Sequence, residues 1–271
     1  TTTPSLANSF ATELYTGNSS TQQVTSGFRT DLVFIKARSA VNNWVAFDTV
    51  RGMVGNPSYR LVPSTNSAQS NWATTAGISA ADATSITVKA PGGQGYGLNE
   101  SGVTQVAYTW KSGGVASINT SGAITSLVSV NQAAGVSVVK WTGSGSAATV
   151  GHGLGAIPQL IIVKNLDATE KWRVYNNTSG ATKYMSLNDD YGTGTASTIW
   201  NDTTPTSTVF STGSDASVSG SGNGFVAYCW TSIANYCKVG TYSGSSSAHT
   251  VAIGFAPSFA IIKRTDSTGG W

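Results

Sequence analysis

A six-residue run, apolar and closed by lysine, stands three times in this chain. The copies are Asp31-Leu32-Val33-Phe34-Ile35-Lys36, Gln159-Leu160-Ile161-Ile162-Val163-Lys164 and Ser258-Phe259-Ala260-Ile261-Ile262-Lys263. A tryptophan follows each lysine at the same distance: Trp44, Trp172 and Trp271. Self-similarity at a fixed spacing limits a chain to architectures built from one duplicated unit. Such architectures serve reach and binding more often than catalysis.

The duplication extends beyond the lysine. Leu14-Tyr15-Thr16-Gly17-Asn18 answers Lys140-Trp141-Thr142-Gly143-Ser144 and Thr241-Tyr242-Ser243-Gly244-Ser245. Val106-Ala107-Tyr108-Thr109-Trp110 answers Val226-Ala227-Tyr228-Cys229-Trp230, and Trp72 answers Trp200. Pro158 and Pro257 precede the apolar run in two copies. Proline suits a strand entry, where its missing N–H costs no ladder bond. The spacing defines a first unit over residues 1–113, an inserted hairpin or linker over 114–135, a second unit over 136–238, and the start of a third over 239–271.

The apolar runs are short, rich in Val, Ile, Phe, Tyr and Trp, and bounded by Gly, Ser, Asn and Thr. That pattern predicts many short strands and no long helix. In residues 226–230 the large side chains Val226, Tyr228 and Trp230 share one face while Ala227 and Cys229 share the other, as a period of two requires. The expected fold is all-β, with tandem antiparallel β-sandwich units of jelly-roll-like character. The inserted residues 115–125 read as a hairpin turning around 119–122. A half sandwich over 239–271 leaves strand edges unpaired. The expectation is therefore a fragment of a longer polypeptide, or completion by neighbouring subunits.

Charged residues make up 10% of the chain, against roughly 25% in ordinary domains. The 15 basic and 12 acidic residues are scattered singly, giving a net charge of +3. No basic run marks a nucleic-acid groove, and no apolar stretch reaches the ~20 residues of a membrane span. Cys229 and Cys237 are too few for a disulfide framework; a single bridge or two free thiols remain open, with a small buried side chain the default for Cys229.

Enzymatic chemistry lacks its usual constellations. His152 and His249 have no ligand-spaced partners for a metal and read as loop histidines bonded to backbone or water. The three glutamates, Glu13, Glu100 and Glu170, have no counterparts between units, so paired carboxylates for sugar hydrolysis are not apparent. Asp189 and Asp190 could contribute to a calcium site but read as a solvated loop. The run of residues 92–97 (GGQGYG) has no following helix and reads as a turn. No cofactor, metal or catalytic residue is expected, and the chain is read as no enzyme.

The repeated lysines and tryptophans are read as structural: Lys36, Trp44, Trp72, Trp110, Lys164, Trp172, Trp200, Trp230, Lys263 and Trp271. Each lysine is expected to lay its stem over the core and keep its ammonium in water, with a cation–π contact to the following tryptophan. Ligand recognition is expected where the units differ, in loops 66–71, 92–101, 189–195 and 211–224.

The strings Val150-Gly151-His152-Gly153-Leu154-Gly155, Ile162-Val163-Lys164-Asn165, Trp172-Arg173-Val174-Tyr175, Thr198-Ile199-Trp200-Asn201-Asp202, Pro205-Thr206-Ser207-Thr208-Val209-Phe210 and residues 226–230 resemble a repeated domain of uncharacterised function. That domain occurs in structural proteins of tailed bacteriophages, marine and cyanobacterial phages in particular. The resemblance is best over 136–271. It offers no catalytic residues and implies a virion location, with assembly in the host cytoplasm and exposure on the particle. The implied function is a tail-fibre or receptor-binding component that attaches to a host-surface glycan or protein without catalysis. A capsid decoration or head-fibre protein is the alternative, and a glycan depolymerase the third class. Implied partners are further copies of itself, as a homo-oligomer such as a trimer, and other virion proteins, with no nucleic acid and no membrane span.

Overall fold

The computed structural model describes residues 6–55, 57–72, 76–89 and 97–271. Most of the Gly-rich turn at 92–97 and the side chain of Trp72 lie outside the described residues. After a single 3₁₀ turn at Leu6–Asn8, the first unit contains β1 (Phe10–Thr16), β2 (Thr21–Thr25), β3 (Leu32–Ala37), β4 (Val45–Asp48) and β5 (Ser58–Arg60). It continues with β6 (Ser70–Trp72), β7 (Gly77–Ala81), β8 (Ser85–Lys89) and β9 (Thr104–Trp110). The insertion forms β10 (Ser117–Asn119) and β11 (Ser126–Asn131). The second unit holds β12 (Val136–Thr142), β13 (Ala148–Gly151), β14 (Leu160–Asn165), β15 (Arg173–Asn176), β16 (Lys183–Ser186) and β17 (Gly194–Thr195). It closes with β18 (Val209–Thr212) and β19 (Gly224–Trp230), accompanied by the one-turn helices α1 (Ser197–Trp200) before β18 and α2 (Ala216–Ser219) after it.

The fold is all-β and sandwich-type, with every strand pair between these elements antiparallel. The duplication is visible in hydrogen-bond register. The main sheet of the first unit runs β1-β9-β3-β4, and the second repeats the order as β12-β19-β14-β15. Leu32 pairs with Trp110 and Asp48; Leu160 pairs with Trp230 and Asn176 at the same positions. Lys36 lies opposite Val106, and Lys164 opposite Val226. In the second unit, β11 adds to the β12 edge and carries β10 as its hairpin partner, so the insertion is bonded into the sheet.

Each main sheet uses both faces. Along β19, Phe225, Ala227 and Cys229 point into the core of the second unit with Trp141, Tyr175, Trp200 and Phe210. Val226, Tyr228 and Trp230 point the other way, into a core shared with the first unit. In β9, Ala107 faces the first unit's own core with Ile35, Phe47 and Ile86, whereas Trp110 and Tyr108 face the shared one. β19 is buried on both sides, because a second sheet covers the face that would otherwise meet water.

Among the described residues no strand falls within 239–271, and much of that segment is exposed. Its Lys263 and Trp271 bond to the second unit, whereas Phe259 of the same apolar run packs against the first. Phe259 is its deepest contact, with its ring 4.6 Å from Tyr108 and 5.9 Å from both Phe10 and Trp110.

Candidate functional site

The boundary between the units is held by polar groups as well as aromatic ones. Asp48 and Arg51, at the end of β4, are both buried, with no side-chain exposure. Arg51 Nε donates to Asp48 Oδ2 at 2.6 Å, its own backbone N–H donates to Oδ1 at 2.9 Å, and its Nη1 donates to Gln69 Oε1 at 3.0 Å. Tyr228 of the second unit donates its hydroxyl to the same Asp48 Oδ2 at 2.7 Å. Burial alone would lower the Arg51 pKa, but the Asp48 carboxylate and Tyr228 outweigh it and hold the guanidinium above its ordinary value. Burial raises the Tyr228 pKa well above its ordinary value, so the hydroxyl remains a donor. Tyr228 thus completes, across the boundary, a buried ion pair whose two charges both belong to the first unit.

The repeated lysines and tryptophans build a second polar connection. Lys164 Nζ donates to Asn66 O in the first unit (3.1 Å), and Trp172 Nε1 donates to Thr65 O (3.1 Å). In return, Gln69 N donates to Leu166 O (2.8 Å). The third repeat makes the same three bonds to the second unit. Lys263 Nζ donates to Asp190 O (2.8 Å), Trp271 Nε1 to Ser186 O (2.8 Å), and Thr193 N to Thr265 O (2.8 Å). The accepting carbonyl stands two residues after the lysine in both cases. Lys164 also reaches Glu170 O (2.7 Å) within its own loop, as Lys263 reaches Gly269 O.

These contacts correct the expected lysine geometry. Lys164 is fully buried rather than in water, and its ammonium meets three main-chain carbonyls rather than an indole face. An ammonium offers three donors and no acceptor, so a ring of carbonyls satisfies it completely where a ring face would not. Burial lowers the Lys164 pKa to about 8, partly offset by the charge of Glu170. Trp172, Trp200, Trp110 and Trp230 are buried, while Trp44, Lys36, Lys263 and Trp271 are half-buried. Trp44 stacks on Tyr108 with ring centroids 6.0 Å apart, and Lys36 Nζ donates to Ala37 O.

His152 is buried, accepting from Leu154 N at Nδ1 (3.2 Å), which leaves Nε2–H for Thr206 O (3.1 Å). It ties a glycine-rich turn to the segment before β18. His249 is exposed and stacks on Tyr242. Cys229 and Cys237 are both free thiols, Cys229 fully buried with its pKa pushed up to about 12 by burial. Among the described residues no group of three or more His, Cys, Asp or Glu side chains converges as a metal site. Asp189 instead pairs with Lys171 at 2.5 Å, and the main-chain oxygen of Asp190 is taken by Lys263.

Two features escaped the sequence. Asp48 and Arg51 carry no repeat signal, since Asn176 and Ser179 stand at the matching positions; only the scarcity of charge pointed to them. Asp31 is likewise buried, its Oδ2 accepting from the N–H groups of Ser112 (3.0 Å), Gly113 (3.1 Å) and Gly114 (3.0 Å) as the chain leaves the first unit.

One open cleft of about 460 Å³ falls on a loop where the units differ. Lys171, Arg173, Tyr184, Asp189 and Tyr191 form one wall, and residues 265–268 of the third repeat form the other. Tyr191 is 65% exposed, and the Lys171 ammonium stands 5.7 Å from its ring centre. The Arg173 guanidinium covers the Tyr184 ring at 4.8 Å while donating to Ser217 Oγ (2.8 Å), so that ring is fixed. A flat aromatic face beside donors and a carboxylate can hold a neutral polyhydroxylated ligand. Asp266, also at the cleft, is held below its ordinary pKa by the hydrogen bond and charge of Arg264, the reverse of what a general acid needs.

Over residues 5–271 the chain matches a family described as "Domain of unknown function (DUF7483)". The chain belongs to the DUF7483 family. The match covers both units, the hairpin between them and the third repeat, so the polar connections described above fall within one DUF7483 region. No curated protein and no solved structure matches the chain.

Proposed function

We propose that this DUF7483 chain is a structural component of a phage virion, a tail-fibre or receptor-binding protein that attaches to a host-surface glycan without catalysis. The observation that carries the reading is the division of labour among its aromatic residues. The recurring tryptophans Trp110, Trp172, Trp200 and Trp230 are consumed in packing. Tyr191, in a loop peculiar to the second unit, offers its ring to solvent beside Lys171 and Asp189. Recognition placed where the repeats disagree leaves the scaffold untouched when the ligand changes.

The test has two arms. Antibody-gold labelling of intact particles should mark tails, and the purified chain should bind envelope polysaccharide from the host. Tyr191→Ala should weaken that binding at least tenfold with the unfolding midpoint unchanged. Label confined to heads would replace this reading with a capsid decoration or head-fibre protein. Release of reducing sugar would replace it with a depolymerase.

A further inference from the structure

We propose that the outer edge of β10 is an interaction surface for a second copy of this chain, whose own β10 pairs with it antiparallel about a two-fold axis at Ile118. β10 is the end strand of the eight-stranded sheet, with β11 as its one strand neighbour. Among the described residues no main-chain hydrogen bond and no β-bridge reaches its other side. A strand edge in this state is a template for another strand unless charge, proline or a bulge blunts it. No charged residue and no proline stands between Lys111 and Lys140, and β10 pairs with β11 without a register shift. The hairpin lies between the two units and is held from behind. Ile124 N donates to Thr149 O (3.0 Å), Ser126 Oγ to Gly151 O (2.8 Å) and Ser129 Oγ to Gly114 O (2.8 Å). The edge is therefore presented in one conformation, which lowers the ordering cost of binding.

The side chains favour a second copy as the occupant. Ile118 lies opposite Leu127, and the two are 72% and 41% exposed on one face of the sheet. A two-fold axis at Ile118 sets that residue against its own copy and joins the two Ile118–Leu127 pairs into one apolar strip. On the other face the same register sets Ser117 against the partner's Asn119, hydroxyl against amide. Apolar thus meets apolar and polar meets polar across the new strand pair. Charge does not oppose it. Lys140 follows Leu127 in the same row of the sheet, so the two Lys140 positions stand five strand spacings apart. That separation is about 24 Å, well beyond the ~8 Å over which exposed charges feel one another. The contact is isologous and closes at two copies. One short strand pair with its strip falls below the roughly 1,200 Å² of a stable complex, so the dimer is weak, with Kd on the order of 10–100 μM. This inference stands independently of any host ligand.

Sedimentation velocity on the full chain, over a concentration series bracketing that range tenfold on each side, tests it. The parent should pass from monomer to dimer. Ile118→Lys sets two ammonium groups against each other at the axis and should weaken dimerisation at least tenfold. Circular dichroism should show its strands retained, and Leu127→Lys takes its place if Ile118→Lys unfolds. Cross-linking with copper–phenanthroline reads the register. Ile118→Cys should form a disulfide-linked dimer at least tenfold faster than Ser117→Cys, with the parent and its own two cysteines as background. A parent that stays monomeric throughout, or a dimer that Ile118→Lys leaves intact, overturns the surface. Equal cross-linking through positions 117 and 118 overturns the two-fold pairing at Ile118.

Discussion

The hydroxyl of Tyr228 crosses the boundary between the units and reaches a carboxylate oxygen of Asp48 at 2.7 Å. That oxygen already accepts from Arg51 Nε, so the second unit completes an ion pair belonging to the first. Both charges are fully buried. Docking in this orientation is favoured because a shift would take the Tyr228 hydroxyl away and leave a buried carboxylate oxygen one donor short.

Breaking this group in stages should separate its parts. Tyr228→Phe removes one hydrogen bond to a charged acceptor and should cost about 1.5–3 kcal/mol. Arg51→Met leaves the buried Asp48 carboxylate without its ion-pair partner, held by the Tyr228 hydroxyl and one backbone N–H, and should cost about 3–5 kcal/mol. Adding Asp48→Leu to Arg51→Met should recover much of that loss by removing the stranded carboxylate. Urea unfolding of the four chains measures each step; a double variant no more stable than Arg51→Met would mean that the stranded charge is not the source of the cost.

Lys164 should give the folded protein an alkaline signature. Its pKa is about 8 in the folded chain and 10.5 ordinarily, through burial. Between those values the unfolded chain holds a proton that the folded chain has released, so the contribution of Lys164 to stability rises with pH across that window. Below pH 8 the buried ammonium costs about 3 kcal/mol relative to a residue with an unshifted pKa. Buried Cys229, with its thiol pushed up to about 12, and the raised Tyr228 act in the opposite sense at higher pH. The measurement is therefore the difference between parent and Lys164→Met. That difference should move in favour of the parent by about 3 kcal/mol from pH 7 to 10.5. A pH-independent difference would place the proton elsewhere.

Much of this arrangement was legible in the residues. The alternation Val226/Tyr228/Trp230 against Ala227/Cys229 marks the two faces of β19, and the lysine-to-tryptophan spacing locates the equivalent strands. The destination of the outer face is not legible. A period of two distinguishes the faces of a strand without saying whether water or another sheet covers each. For the same reason the sequence places Lys164 at a surface. Two of its carbonyl partners, Ala168 and Glu170, are local, but the third, Asn66, stands about a hundred positions earlier, and local sequence does not place it there. Asp48 and Arg51 are illegible because the duplication does not repeat them. In the cleft, the loop at 189–195 is identifiable as a place where the units differ, but the wall supplied by residues 265–268 is not.

Gly113 should tolerate no side chain. It adopts φ +112°, and a Cβ placed on it would lie 2.0 Å from the carbonyl oxygen of Val130. Its N–H also donates to the buried Asp31 carboxylate at 3.1 Å, so the backbone has no freedom to move aside. Gly113→Ala combines an unfavourable backbone conformation with a clash against main chain and should cost about 3 kcal/mol or more. Gly222, at φ +76° with open space around its Cβ position, serves as the control. Gly222→Ala should cost only about 1–2 kcal/mol, the conformational part alone. Equal losses in the two variants, read by thermal unfolding, would show that Val130 moves away freely.

His152 should make the fold acid-sensitive. Burial lowers its pKa below the ordinary 6.5, partly opposed by the hydrogen bond to Thr206 O. Its Nδ1 accepts from Leu154 N, so protonation at that nitrogen would set two N–H groups against each other. Above pH 6.5 both folded and unfolded chains carry neutral imidazole, and the contribution of His152 to stability is complete. As pH falls through 6.5 the unfolded chain takes up a proton that the folded chain refuses, and stability declines until the folded pKa is reached. Each pK unit of lowering corresponds to about 1.4 kcal/mol lost. Guanidinium unfolding of the parent and His152→Gln between pH 4.5 and 7.5 reads this directly. The parent's advantage should be constant above pH 7 and narrow below 6.5. An advantage that persists unchanged at acid pH would mean that His152 titrates normally and that its buried position carries no linkage.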